Sequence, residues 1–419
     1  MQFSELKEFV REAKDNKEFY NWLYTEYQNV DFDNIDTQAD FREQVPVTSK
    51  DVLLKHFSDG NFDLGIDEME QPIFARPTSG TTSEMACYYR TEEEIEAHCE
   101  RVKEATGHYF EGGKGRDKVL VATTFSLAPV LTRQFMEMDC MVTSASPFDL
   151  DRTAEVFRTM KCNTLVCSPP VALKLSEKLD EMGYEGLEKY YFVSSGLSSM
   201  TESRLNELYP DAEIMLQYGL AETGILMQQC EHLKHTNQYH LFDDDAFFYE
   251  FVTEDGEEAD PGEIGEIVVT KLNSDTPLIR YGVGDLFEVR GECSCGKRTY
   301  KFIGRKEDKF KIQGVTVFAD RIENALEPVK DSLKHYQIII EEEGGGELPK
   351  PKMVLRLEFA DDTSKEGNEI VETFSENFQV ANDYNWKKGV EMGLFAPVEF
   401  EETVFEKRKF RKVKDLRYE

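Results

Sequence analysis

Four short apolar runs, "CMVTSA", "TLVCSP", "KYYFVSSG" and "EIMLQYGL", recur between residues 140 and 220, separated by patterns of helical period such as Val171 to Met182 and Thr201 to Leu208. This alternation constrains the fold more than any other feature of the chain. A strand apolar on both faces needs cover on both, and strands alternating with amphipathic helices give a mainly parallel sheet with right-handed crossovers. The expected class is therefore α/β. Upstream, a helix is expected from Glu92 to about Tyr109, ended by the glycines of "GGKGRD" before the strand "VLVATT". After Leu241 the texture changes to "FFYEFV", "GEIGEIVVT" and "DLFEV", strands joined by Gly, Asp and Pro turns that read as a smaller β subdomain.

The first 60 residues read as a helical packing arm ending in "VPVTSKDVL", with Thr48 or Ser49 able to cap a helix that begins near Asp51. From about residue 306 the pattern is that of a separate α+β unit. It has a helix over Asp320 to Ala325, strands at "YQIIIE" and "MVLRLEF" joined by the solvated hairpin loop "EEEGGGELPKPK", a helix starting near Gly367 and a basic tail "KRKFRKVKDLR". A chain of 419 residues exceeds what one core supports, so two domains are expected. A formal charge of -33 argues against a protein that tracks a nucleic acid backbone, which needs a dense basic face. No run approaches the roughly 18 apolar residues of a membrane helix, and the charged N-terminus does not read as a signal peptide, so a cytoplasmic protein is expected.

Chemistry gathers at the ends of elements. Thr78, Ser79, Gly80, Thr81, Thr82 and Ser83 form a hydroxyl-rich turn able to surround phosphate oxygens, although it lacks the GK[ST] ending of a Walker loop. Ser194, Ser195 and Gly196 follow one apolar strand, and Gln217, Tyr218, Gly219 and Glu222 end another. Open parallel sheets bind ligands beyond the carboxyl ends of their strands, so these turns can line one crevice. Tyr218 can stack on a base, and Glu222 can hold Mg2+ between phosphates. Asp285, beside glycines in "YGVGDLFEV", can accept both hydroxyls of a ribose, with Arg305 as a charge-assisted donor.

In this order the motifs resemble the adenylate-forming superfamily, most closely its phenylacetate-CoA ligase-like branch. The TSGTTG phosphate loop is matched by Thr78 to Ser83, and the YG-x-[TA]-E motif by Tyr218, Gly219, Leu220, Ala221 and Glu222. The ribose-binding Asp is matched by Asp285. The GRxDD hinge with its G-x-x-VF is matched by Gly304, Arg305, Lys306, Glu307, Asp308, Gly314, Val317 and Phe318. The resemblance implies an adenylation domain over residues 1–305, with parallel-sheet and β subdomains, and a small mobile C-terminal lid over residues 306–419 that carries a catalytic lysine. Aligning Val413 and Asp415 with the end of the family's C-terminal motif puts Lys409 on that lysine, with Lys407 as the competing candidate. Two departures stand out: Ser83 and Glu84 stand where the family usually has Gly and soon afterward Lys, which alters the charge beside the phosphates, and Arg408 replaces a Gly.

A separate cluster is suited to metal. "CEHLKHTNQYH" holds Cys230 followed by three of the seven His, which fall within nine positions of one another, and "CSCG" supplies Cys293 and Cys295. Zinc favours four soft or borderline ligands donated as close pairs by two segments, and Cys230, one His, Cys293 and Cys295 would satisfy it. His240 begins a strand and is slightly favoured, while His235 has the shorter spacing from Cys230. The phenylacetate-CoA ligase-like branch often carries a C-x-CG here, and some of its members bind zinc.

By resemblance, the expected activity uses ATP and Mg2+ to adenylate a small carboxylic acid and then passes the acyl group to CoA, with any zinc structural. The alternative acceptor is a carrier protein, another protein thiol or an amine. Ser194 to Gly196 and the segment around Phe125 should border the acid, and the faces of Phe125 and Tyr218 suit an aryl or arylacetic group. Relatives often pair, so a homodimer is an expected assembly, with no interface legible in the pattern.

Overall fold

The computed structural model describes residues 3–49, 52, 73–77, 87–123, 127–193, 197, 199–234, 236–242, 246–272, 278–306, 310–312, 315–317, 319–343, 350–360, 367–381, 384–405 and 412–416. The apolar runs become strands Lys118–Val121, Met141–Ser144, Thr164–Cys167, Lys189–Val193 and Glu213–Leu220, all paired in parallel. Helices Ala128–Glu137, Leu150–Met160, Pro169–Glu181 and Ser199–Leu208 make the crossovers. Helix Glu92–Thr106 starts on a capping box in which the Thr91 side chain accepts from the Glu94 amide and Glu94 bonds back.

The β-rich part does not stand apart. Strand Gly224–Gln228 folds back antiparallel on Glu213–Leu220, and Gln238–Leu241, Arg298–Arg305, Leu278–Glu292, Ile264–Lys271 and Phe247–Val252 follow in order. Among the described residues this makes one twelve-stranded sheet, with the short strand Thr48–Ser49 added in parallel beside Tyr281 and Gly282. One hairpin causes the continuity, because it reverses the chain at the sheet edge and lets the strands up to Arg298–Arg305 extend that edge. The helix expected near Asp51 falls mostly outside the described residues.

The described chain divides into two compact units, one of residues up to 283 with 287–302, the other of 284–286 with 303 onward. In the first, the N-terminal arm is part of the core: Phe19, Tyr20, Leu23, Tyr24 and Phe41 are buried in the same cluster as Leu165, Phe192 and Ile279. Each such side chain contributes roughly 1.5–3 kcal/mol by leaving water. In the second, strands Glu399–Glu402, Lys350–Phe359, Leu333–Glu343 and Val413–Asp415 form a four-stranded sheet. Ile322, Phe374 and Trp386 are buried in its core, where Trp386 stacks on Phe395 at 4.3 Å.

A buried ion pair ties the arm to the sheet. Arg280 lies on Leu278–Glu292 with φ 42°, a left-handed conformation that non-glycine residues seldom adopt. Its guanidinium meets Glu250 in a fork, Nε to Oε2 at 3.0 Å and Nη2 to Oε1 at 3.1 Å, and Nη1 donates to the carbonyls of Arg42 and Val45 at the end of helix Gln38–Gln44. Arg42 Nε also donates to Glu250, at 3.2 Å. Removing one partner of a buried pair strands the other charge, at a cost of about 3–5 kcal/mol. Glu250→Ala is therefore expected to lower the unfolding free energy by about that amount in urea denaturation, and adding Arg280→Leu to it should recover part of the loss.

Candidate active site and metal cage

The hairpin that joins the two halves of the sheet also presents Glu222. Strand Glu213–Leu220 ends beside Ala221, and the chain returns in Gly224–Gln228, with Gly219 opposite Ile225. A Cβ on Gly219 would sit 2.4 Å from the Gly224 carbonyl oxygen and 2.7 Å from Ile225 Cα, so only glycine allows this approach. Glu222 is partly exposed on the turn, its Oε1 accepting a hydrogen bond from the Tyr281 hydroxyl at 3.2 Å. The Ala221 carbonyl accepts from Arg90 at 3.2 Å, which fixes the backbone beside it. A partly exposed carboxylate on a pinned turn at the carboxyl end of a parallel strand is suited to hold Mg2+.

Two neighbours in the motif face inward. Tyr218 is buried with its ring edge-on to Phe287 at 4.9 Å, so much of it is committed to the core. Gln217 is buried, its Oε1 accepting from the Tyr191 hydroxyl and its Nε2 without a partner among the described residues. In the second unit Asp285 is buried and Arg305 Nε lies 2.7 Å from its Oδ1, so the arginine holds the aspartate itself. Thr78 to Ser83, Phe125, Ser194 to Gly196, His235, Glu307, Asp308, Gly314, Phe318, Lys407, Arg408 and Lys409 lie outside the described residues.

Cys230, His240, Cys293 and Cys295 converge, with one ligand atom from each within 4.8 Å of all the others. Cys230 Sγ is 3.7 Å from Cys293 Sγ, and His240 Nε2 lies 3.3 Å from Cys230 Sγ and 3.2 Å from Cys295 Sγ. A tetrahedron with Zn–S bonds of about 2.3 Å has edges of about 3.8 Å, so the set fits zinc with slight expansion on the histidine side. The Nδ1 of His240 is 2.7 Å from the Arg298 carbonyl and donates to it in the tautomer that leaves Nε2 free as a ligand. Burial shifts the pKa of His240 downward, keeping the ring neutral as a ligand must be.

Local structure aims these ligands. Cys293 to Gly296 form a tight turn in which the Gly296 amide donates to the Cys293 carbonyl at 2.8 Å, closed by glycine at φ 83°. Gln229 donates to the carbonyls of Leu233 and Gln238 at 3.0 and 3.2 Å, folding the segment between Cys230 and His240. A metal held there would staple the far end of Leu278–Glu292 to the strand that leads out of the Glu222 hairpin. What the sequence reading lacked was Tyr281, Tyr88 and Arg90 around Glu222. Tyr281 lies inside the matched stretch "YGVGD", the one signal that marked it.

No protein-family profile matches the chain. It is 26% identical over 327 residues to a phenylacetate-coenzyme A ligase of Thermus thermophilus, covering 72% of this chain and 69% of that one. To the phenylacetate-coenzyme A ligase of Escherichia coli it is 25% identical over 365 residues, covering 82% and 79%. Its fold matches the crystal structure of 2-hydroxyisobutyryl-CoA ligase in the postadenylation state with 2-HIB-AMP, with a TM-score of 0.75 at 20% identity over 99% of this chain and 89% of that one. The fold is that of the adenylate-forming CoA ligases. In sequence the chain is similar to phenylacetate-CoA ligases at 24–26% identity.

Purified protein is expected to carry about one zinc per chain by elemental analysis, and Cys293→Ser or Cys295→Ser to lose most of it. Stripping the metal with a chelator should lower the thermal midpoint, since binding to the folded state alone stabilises it. A metal-free native protein with an unchanged midpoint would contradict the cage.

Proposed function

We propose that the protein is an AMP-forming ligase that joins a small carboxylic acid, with an aryl or arylacetic acid favoured, to CoA. The observation that carries this reading is the pinned, partly exposed Glu222 at the carboxyl end of the sheet, in a chain whose relatives are phenylacetate-CoA ligases. In the first step a carboxylate oxygen attacks the α-phosphorus of ATP and pyrophosphate leaves, giving an acyl-adenylate. In the second a thiol attacks the acyl carbon and AMP leaves.

The chain's own residues take the following roles in this proposal. Thr78 to Ser83 surround the phosphates, and Asp285, steadied by Arg305, binds the ribose. Lys409 meets the negative charge that grows on the reacting oxygens, where a fixed cation is worth most because the site excludes water. Glu222 is the ligand for Mg2+, which when bound neutralises phosphate charge. Cys230, His240, Cys293 and Cys295 hold zinc in a structural role, because four protein ligands leave no open position for a substrate. Residues 306–419 act as a lid that turns about Lys306 and Glu307 between the two steps, taking Lys409 out of the site. Among the described residues no helix is long and apolar enough to cross a membrane, in keeping with substrates taken from solution.

Pyrophosphate release with ATP and Mg2+, measured across aryl, arylacetic, fatty and amino acids with and without CoA, tests the reading. One acid should give release and, with CoA present, a thioester product. Lys409→Ala is expected to reduce the adenylation rate by roughly 10²–10³-fold while Lys407→Ala retains it. Acid-dependent release with no CoA product would move the acceptor to a carrier protein or an amine. No release from folded, metal-replete protein would overturn the proposal.

A further inference from the structure

Two buried tyrosines lead to Glu222. Tyr88, on strand Cys87–Thr91, has its hydroxyl 3.3 Å from that of Tyr281, and the Tyr281 hydroxyl reaches Glu222 Oε1 at 3.2 Å. Both rings are buried, 5% and 2% exposed, whereas Glu222 is partly open. An ionised carboxylate can only accept, so Tyr281 donates to it. Its proton is thereby spent, and the contact with Tyr88 is made by Tyr281 accepting. The direction runs from Tyr88 to Tyr281 to Glu222.

Both phenols stay protonated at any working pH, because burial first, and the charge of Glu222 second, raise their pKa values. At 3.2 Å the bond to Glu222 is long for a hydroxyl on a carboxylate, where 2.5–2.7 Å marks a strong one. A weak donor orients the carboxylate without quenching its charge, which suits a cation ligand better than a short bond would. The Tyr281 backbone is held independently by its parallel pairing with Thr48 and by the buried Arg280 beside it.

We propose that Tyr281 is a positioning residue for Glu222: it holds one carboxylate oxygen and leaves the other for Mg2+ carried by ATP, while Tyr88 orients the Tyr281 hydroxyl. This rests on the reading of Glu222 as the Mg2+ ligand. Two buried hydroxyls then tune how strongly the site uses its cation. A purely structural tyrosine pair would change stability and leave the effect of Mg2+ on nucleotide affinity alone.

The test uses the full-length protein and calorimetric binding of ATP with Mg2+ and with a chelator, the ratio of the two affinities being the Mg2+ enhancement. Glu222→Gln should abolish the enhancement. Tyr281→Phe should reduce it about fivefold, with affinity for metal-free ATP unchanged, the scale expected for one lost hydrogen bond. Tyr88→Phe should act in the same direction, by about twofold. If Glu222→Gln removes the enhancement and Tyr281→Phe keeps it at the wild-type level, the positioning role is overturned while the Glu222 reading stands. If Glu222→Gln keeps it, the Glu222 reading fails and the role of Tyr281 with it. Should Tyr281→Phe not fold, Tyr88→Phe decides, and a wild-type enhancement there overturns the proposal.

Discussion

The forked pair of Arg280 with Glu250 is the contact on which the arrangement around it depends. Both side chains are out of water, so each charge is tolerable only while the other is present. The pair joins the end of helix Gln38–Gln44, strand Phe247–Val252 and strand Leu278–Glu292, and it holds Arg280 in a left-handed backbone conformation that costs of order 1–3 kcal/mol elsewhere. The strand so fixed is the one that carries Tyr281 next to Arg280, Asp285 farther on, and Cys293 just past its end. A single immobilised strand therefore sets the placement of the Glu222 partner and of half of the candidate metal cage.

The cage and the hairpin are two solutions to the same mechanical problem. A turn that must present a carboxylate to solvent cannot bury itself, so its position has to be fixed from its two strands. Gly219 lets the strands approach at the turn, Arg90 and Tyr281 fix the turn from the side, and Cys230 with His240 gather beside Cys293 and Cys295, where a metal would anchor the outgoing chain. The strongly acidic chain gives this fixing a further use. Anionic substrates approach a surface of like charge, so affinity must come from a few placed cations and donors rather than from the overall field.

Much of this was legible in the sequence, and the parts that were not share a cause. Period and composition placed the five parallel strands and their crossover helices, because each element's apolar pattern is local. The four candidate ligands were legible as a set because zinc would demand soft ligands in close pairs, and the choice between His235 and His240 is one that spacing leaves open. The structure gathers His240, while His235 lies outside the described residues. Arg280 with Glu250, separated by 30 residues, and Tyr281 with Glu222, separated by 59, were not legible, since nothing local in either stretch names the partner. The inward packing of Tyr218 against Phe287 and the joining of the β-rich strands to the main sheet depend on the same long-range geometry.

Attack of a carboxylate on the α-phosphorus of ATP leaves its mark in the fate of the carboxylate oxygen. With an arylacetic acid or other accepted acid labelled with 18O in its carboxyl group, turnover with ATP, Mg2+ and CoA should leave one labelled oxygen in AMP, read by mass spectrometry. Label in inorganic phosphate with ADP as co-product would show attack at the γ-phosphorus and contradict the account, as would turnover that leaves AMP unlabelled.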